Sequence, residues 1–361
     1  MRDVSYHLRR REMAEKLYVS NSSMPFRYVF VLTNRCNLRC SFCFQEKGAV
    51  EGSLDTNEWL KVIEQLPDYA HVTLTGGEPF LFKGFREVFE AITEKFTCNI
   101  ISNGLLLSKD LIEFLLSKPN LKVLSISVDD IGNICRDVNP EKWKKAEALM
   151  RYFAKRRNEL GSSTVLDTKT VVLDENISQV FDIHKYCVED LHCDSHSYML
   201  LKGAPIQHAD YMFKFMEIYK DTQAHVYKDF DELVRQFELV RQFNVLNSKK
   251  CFTHPRIVDL NGDIPILNFD LSFINAAEHI KDNFCACKAP WESVHINVEG
   301  NVFPCMAVPM GNVKKNSLKS IFEGAAYQLF RQTLKKEGTV AGCNRCGYLT
   351  PKANLIAPLT K

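Results

Sequence analysis

Three cysteines fall within eight residues of the chain: Cys36, Cys40 and Cys43, spaced Cys-x3-Cys-x2-Cys in the stretch TNRCNLRCSFCF, residues 33–44. Thiolates are soft ligands, suited to an iron–sulfur cluster or to zinc. Three is one short of a closed four-coordinate site. A [4Fe–4S] cluster held by three thiolates keeps one iron open to a substrate or cosubstrate. A zinc knuckle or a set of free thiols is the plainer alternative. The apolar run Tyr28-Val29-Phe30-Val31-Leu32 leads into the group, which puts the thiols on a loop leaving a buried strand.

A second group lies near the end of the chain: Cys285, Cys287, Cys305, Cys343 and Cys346. Residues 294–303 read as a β-hairpin turning at Glu299-Gly300-Asn301, with Cys305 at its open end. Cys287 precedes the hairpin across Ala289-Pro290-Trp291, and Cys343 and Cys346 follow a helix near 316–335. Four thiols, Cys287, Cys305, Cys343 and Cys346, would close a cluster or a zinc site. Cys285 and Cys251 fall outside that quartet, and either could replace one of its members. Cys98 and Cys187 read as small buried hydrophobes.

The elements that must position these groups alternate strand and helix. Strand candidates are 27–32, 71–75, 98–102, 123–128, 166–173 and 195–201. Helix candidates between them are 55–66, 84–96, 108–117, 140–160 and 177–190, with cap residues at Asp55 or Thr56, Ser108 and Asn139-Pro140. Repeated βα units imply an α/β fold with a parallel sheet, whose ligands sit at the carboxyl ends of the strands. Several polar residues fall at those ends. Gly76-Gly77-Glu78-Pro79 follows the second strand, where two glycines would let the backbone approach a ligand closely and a carboxylate could accept from an ammonium group. Ser102-Asn103-Gly104 ends the third. Ser127 and Asp129, two apart, share a side of the fourth, and Arg136 lies just beyond. Asp194, His196 and Lys169, near the fifth and sixth strands, are candidate acids or bases.

The boundaries read as an N-terminal extension over 1–26, a barrel over 27–202, a helical and irregular connector over 203–284, a cysteine module over 285–346 and a tail over 347–361. The first 26 residues are too few for a separate domain. Of 361 residues 45% are hydrophobic and 25% charged, with a net charge of +2. That balance gives no sign of a nucleic-acid partner. The opening residues are charged and lack a signal-peptide core, and no run has the length of a membrane span. Cysteines grouped as ligands rather than spread as a framework fit a reducing cytoplasm.

The three-cysteine loop with Phe42 before its third cysteine, followed by GGEP after the next strand, resembles the radical S-adenosylmethionine (SAM) superfamily. The resemblance implies a partial (β/α)6 TIM-type barrel, with SAM on the open iron of a [4Fe–4S] cluster at Cys36, Cys40 and Cys43. It implies a SAM site at Gly76, Gly77, Glu78, Pro79, Ser102, Asn103, Ser127, Asp129 and Arg136, with Glu78's motif at the SAM amino group and Arg136 at its carboxylate. The C-terminal pattern is similar to the twitch and SPASM modules, and its four cysteines look like the one-cluster form, hence one auxiliary [4Fe–4S] cluster. The activity implied is reductive cleavage of SAM to a 5′-deoxyadenosyl radical that takes hydrogen from a substrate, with an electron donor such as flavodoxin or ferredoxin. The missing leader-binding domain points to oxidation of a small polar metabolite, such as a sugar or aminocyclitol. The alternatives are a peptide maturase (thioether, carbon–carbon or formylglycine-type product), a radical epimerase with Cys135, Cys193 or Cys251 as hydrogen donor, and a non-catalytic metal-binding protein.

Overall fold

In a computed structural model, residues 6–22, 24–43, 48, 50–201, 227–254, 256–262, 284–305, 309–340, 343 and 349–352 are described. Among them nine strands form one sheet in the order β7-β6-β5-β4-β3-β2-β1-β8-β9. The first six, β1 Arg27–Val31, β2 His71–Thr75, β3 Thr97–Ser102, β4 Leu121–Ser127, β5 Val165–Val172 and β6 Ser195–Leu200, follow chain order and pair in parallel. Helices α1 Tyr6–Ser20, α2 Thr56–Ile63, α3 Phe85–Lys95, α4 Lys109–Leu116, α5 Pro140–Glu159, α6 Val180–Lys185 and α7 Phe230–Asn247 precede or connect them. This is the expected α/β partial-barrel arrangement.

The helix starts follow the expected capping chemistry. Asp55 accepts from Glu58 N while the Glu58 side chain accepts from Asp55 N, a reciprocal capping box. Ser108 caps α4 and Asn139 caps α5 ahead of Pro140. Between sheet and helices, Phe30, Trp59, Phe89, Ile112, Met150 and Phe153 are wholly buried. Full burial of each such side chain contributes roughly 1.5–3 kcal/mol.

Three features depart from the sequence reading. Residues 251–254, expected to be irregular, form β7 (Cys251–His254), which adds to β6 in parallel. The hairpin is present as β8 (Ser293–Ile296) and β9 (Val302–Phe303), but β8 also joins the main sheet beside β1. The cysteine module is therefore continuous with the barrel sheet through backbone hydrogen bonds. And α1 is docked: Tyr18 meets Trp291 edge-on at 4.8 Å and Lys288 pairs with Glu15. Residues 203–226 and 263–283 of the expected helical and irregular connector lie outside the described residues.

Candidate active site

Because β1 to β4 run in parallel, the loops leaving them meet at one edge of the sheet. The loop after β1 carries Cys36, Cys40 and Cys43, all partly exposed. Backbone and side-chain N–H groups point at its sulfurs: Leu38 N lies 3.4 Å from Cys36 Sγ, Asn103 Nδ2 lies 3.9 Å from the same sulfur, and Arg136 Nη1 lies 3.7 Å from Cys40 Sγ. Donors directed at sulfur stabilise thiolates and tune clusters bound to them. Burial holds the Cys36 thiol above its ordinary range, with smaller contributions from Glu78, Cys40 and Cys43. Cys40 and Cys43 lie close enough to disfavour the ionisation of Cys36, an effect that a cationic metal centre would relieve. The donor set thus fits an iron–sulfur cluster.

The GGEP loop lies against this one. Gly77 N donates to Thr33 O at 2.6 Å and Glu78 N to Arg35 O at 2.8 Å. A Cβ on Gly76 would stand 2.5 Å from Thr33 O, and one on Gly77 2.4 Å from Arg35 O. The glycines are required by close approach to the cysteine loop. Glu78 is buried in the same loop. Its carboxylate has no exposed surface and accepts from Ser102 Oγ at 2.9 Å, Asn103 N at 2.8 Å and Phe80 N at 3.4 Å. Burial raises its pKa to about 7 against the lowering effect of those bonds. Glu78 thus positions the turn after β3, and Asn103 passes the restraint on through Asn37 Oδ1 at 2.7 Å. Pro79, also buried, opens the short 3-10 turn Pro79–Leu81 that leads the chain away from this loop.

Beyond β4, Asp129 is fully buried and accepts from Val171 N at 2.6 Å and from Arg136. The Arg136 guanidinium lies 5.3 Å from the centre of the Phe42 ring. Burial of Asp129 raises its pKa, opposed by Arg136. Arg136 therefore spans Asp129, Cys40 and Phe42, so the sequence-predicted residues of the first and fourth loops meet through it. Ser127 is partly exposed, and its carbonyl accepts from Asn133 Nδ2.

The three acid–base candidates separate. Lys169 lies on β5 with its Nζ 2.8 Å from Asp167 Oδ2, and Asp167 also accepts from Ser125 Oγ at 2.9 Å and Ser195 Oγ at 2.7 Å. These residues, from three adjacent strands, form a polar layer on the inner side of the sheet. Asp194 precedes β6, at the opposite end from the cysteine loop. It binds Arg157 and accepts from Leu166 N, and it lines a cleft of about 620 Å³ with Arg151, His192 and Lys249. His196 is fully buried on the helix-facing side of β6. Neither meets the cysteine loop. Asp167 was missed by sequence reasoning, although its alternation with Lys169 and Ser125's place on the neighbouring strand were its available signals.

Of the candidate hydrogen-donor cysteines, Cys135 lies in the loop after β4 beside Asp130, while Cys193 and Cys251 are buried elsewhere. Burial and the Asp130 carboxylate push the Cys135 thiol up. In the C-terminal module, Cys287 N donates to Gly338 O at 2.7 Å and Val340 N points at Cys343 Sγ at 3.4 Å. Cys305 follows β9, and Cys285 is exposed, its N bonded to Thr350 O. Cys346 lies outside the described residues.

The radical SAM superfamily profile matches residues 30–187, and the SPASM profile, an iron–sulfur cluster-binding domain, matches residues 285–347. The sporulation killing factor maturation protein SkfB of Bacillus subtilis is 26% identical over 319 residues, covering 85% of this chain and 68% of that protein. The antilisterial bacteriocin subtilosin biosynthesis protein AlbA of the same organism is 24% identical, covering 83% of this chain and 60% of that protein. The chain thus spans about two thirds of the length of these relatives. Streptococcus suis SuiB, solved bound to precursor peptide SuiA, has a TM-score of 0.60 at 18% identity, covering 93% of this chain and 73% of that one. At that identity the likeness concerns the fold. Among the described residues no helix is long and apolar enough to cross a membrane.

Proposed function

The chain belongs to the radical SAM superfamily and carries a C-terminal iron–sulfur cluster-binding SPASM domain, and from this premise we propose that it modifies a peptide or a protein side chain. The observation that carries the reading is the extent of similarity to a maturation protein and a bacteriocin biosynthesis protein, 85% and 83% of the chain. Barrel and module are shared together, not the barrel alone. The expected sugar or aminocyclitol substrate gives way to this alternative.

Cys36, Cys40 and Cys43 would hold the cluster, with SAM at its open iron, and together these supply a 5′-deoxyadenosyl radical for hydrogen abstraction. Gly76, Gly77, Pro79, Ser102, Asn103 and Ser127 would border the cosubstrate, with Glu78 fixing the turn after β3. Arg136, held by Asp129, would present positive charge to the SAM carboxylate. The Lys169–Asp167 pair would receive the proton released when the substrate is oxidised. Cys287, Cys305, Cys343 and Cys346 would hold an auxiliary [4Fe–4S] cluster that accepts the accompanying electron, and a cytoplasmic flavodoxin or ferredoxin would supply the reducing electron. Residues 27–202 and 285–346 would be the two working units.

The test is anaerobic reconstitution with iron and sulfide, then SAM and dithionite with peptides encoded beside the gene, deuterated at side-chain carbons. The expected result is deuterium in 5′-deoxyadenosine and a peptide lighter by two hydrogens. Small metabolites form the second arm, since the hydroxyl-rich layer of Ser125, Ser195, Asp167 and Lys169 also suits a polyol. Deuterium arriving only from a sugar or aminocyclitol would overturn the peptide reading.

A further inference from the structure

The helix-facing side of β6 carries a second set of soft ligands. His184 on α6, His196 on β6 and Cys251 on β7 are buried, and one ligating atom of each lies within 4.8 Å of the others. The strand register sets His196 beside Cys251. None of the three belongs to the cluster motifs.

Counting donors fixes which ring nitrogens carry hydrogen. Asn244 Nδ2 donates to Leu260 O at 2.9 Å, so Asn244 Oδ1 is what faces His184 Nε2 at 2.7 Å. That nitrogen must be the N–H. Thr170 Oγ1 donates its single hydrogen to Val128 O, so at 2.8 Å it can only accept from His196 Nε2. Each neutral ring has then spent its one hydrogen, and the two Nδ1 lone pairs face each other at 3.1 Å, with the ring planes 10° apart. Two lone pairs at that separation repel, so the arrangement calls for a cation between them. A proton is the poorer choice. Burial lowers the pKa of both rings, that of His184 to about 4, and nearby lysines add to the effect.

We propose that His184 Nδ1, His196 Nδ1 and Cys251 Sγ bind one soft d10 metal ion, zinc or monovalent copper. Imidazole and thiolate are the ligands such ions select. Two zinc–nitrogen bonds of 2.0–2.1 Å at a tetrahedral angle separate their nitrogens by about 3.3 Å, a few tenths more than the 3.1 Å found. The three ligating atoms lie within 4.8 Å of one another, so the sulfur needs to come closer by no more than about 1 Å to reach bonding distance. Both rings have their outer N–H held by an oxygen, as metal-bound histidines do. Burial raises the Cys251 thiol well above its ordinary range, against a lowering bond from the Phe252 backbone N–H, so a bound metal must displace its proton. An ion here ties α6 to β6 and β7, and through Asn244 to α7.

The full chain, with its clusters reconstituted so that the motif cysteines are occupied, is loaded with zinc or with monovalent copper and passed over a chelating resin. About one ion per chain is expected to remain, and a zinc X-ray absorption edge should report two nitrogens and a sulfur as nearest protein ligands. Cys251→Ser and His196→Gln should each weaken retention at least about tenfold, with iron content unchanged. Retention undiminished in Cys251→Ser would place the metal on other cysteines and overturn the proposal. So would a wild-type chain that retains neither ion, leaving a proton as the bridge. Should the variants fail to fold, the wild-type chain still decides. Its melting temperature should rise by several degrees with the metal and fall back on chelation, and an unchanged melting temperature refutes the site.

Discussion

On β6, Ser195 and His196 are neighbours in sequence and serve opposite sides of the sheet. Ser195 turns inward and donates to Asp167, which also holds Lys169, a side chain 23% exposed. His196 turns outward into a closed chain running from Thr170 through His184 to Asn244, all buried. The inner network keeps one cationic end accessible, whereas the outer one is shut off from water, its facing Nδ1 atoms within reach only of a bare ion. Polar groups of similar character thus divide into those that can meet a substrate and those that bind the framework together. The same division separates the cysteine loop, whose thiols are partly exposed, from the buried thiols of Cys187, Cys193 and Cys251.

The largest expected effect lies at the open side. Cys36→Ala should lower 5′-deoxyadenosine formation at least about a thousandfold, some 4 kcal/mol in barrier. The folded state should change little, because Cys36 is a loop residue with part of its surface in water. Chromatographic quantitation of 5′-deoxyadenosine beside circular dichroism separates the two effects. A variant that unfolds would place this loop with the framework and erase the contrast.

Next come two of the acid–base candidates set against each other. Lys169→Met should slow product formation about a hundredfold while 5′-deoxyadenosine still forms. Asp194→Asn should leave product formation within about twofold but cost roughly 3 kcal/mol of stability, since Arg157 is almost fully buried against it. Single-turnover product assays and urea unfolding read the two outcomes, and an exchange of phenotypes would invert the comparison.

A smaller effect tests the junction between α1 and the module. Arg331 is 2% exposed and held by Ser22 O, Pro290 O and the faces of Trp291 and Tyr327. Burial lowers its pKa. Arg331→Met should cost about 2 kcal/mol, read as a lower urea midpoint. Iron content and 5′-deoxyadenosine formation should stay as they were.

Much of this was legible in the sequence, for identifiable reasons. The six strands and the helix caps are carried by local signals, and the three motif loops follow from strands that must end at one edge. The face of each side chain was not legible on β5 and β6. Parallel strands packed on both sides lose the polar–apolar alternation that reports orientation, so Lys169 and His196 looked equivalent. β7 is four residues long and gains its place only by pairing with β6, a long-range contact with no local trace. Likewise β8 reads as half of a hairpin, and nothing in residues 293–296 announces β1 as its other neighbour. The reason for Gly76 and Gly77 was hidden too, because the atoms they must clear belong to a loop some forty residues earlier.

The finest test concerns Glu78, which belongs to the mouth by sequence and to the framework by burial. Its pKa is raised from 4.5 to about 7 in the folded chain, chiefly by burial. The folded state therefore binds more protons than the unfolded state between those values, so stability falls as pH rises through the window. The full difference is on the order of 3 kcal/mol, of which about 1 kcal/mol falls between pH 6 and 8. Wild-type urea midpoints should decline over that interval. Glu78→Gln keeps an acceptor for Ser102 or Asn103 but does not titrate, so its midpoints should lack this component of the decline. If the two chains change in parallel from pH 6 to 8, Glu78 does not carry the proton that its burial implies. Its carboxylate would then be ionised in the mouth, available to a cation as the motif first suggested.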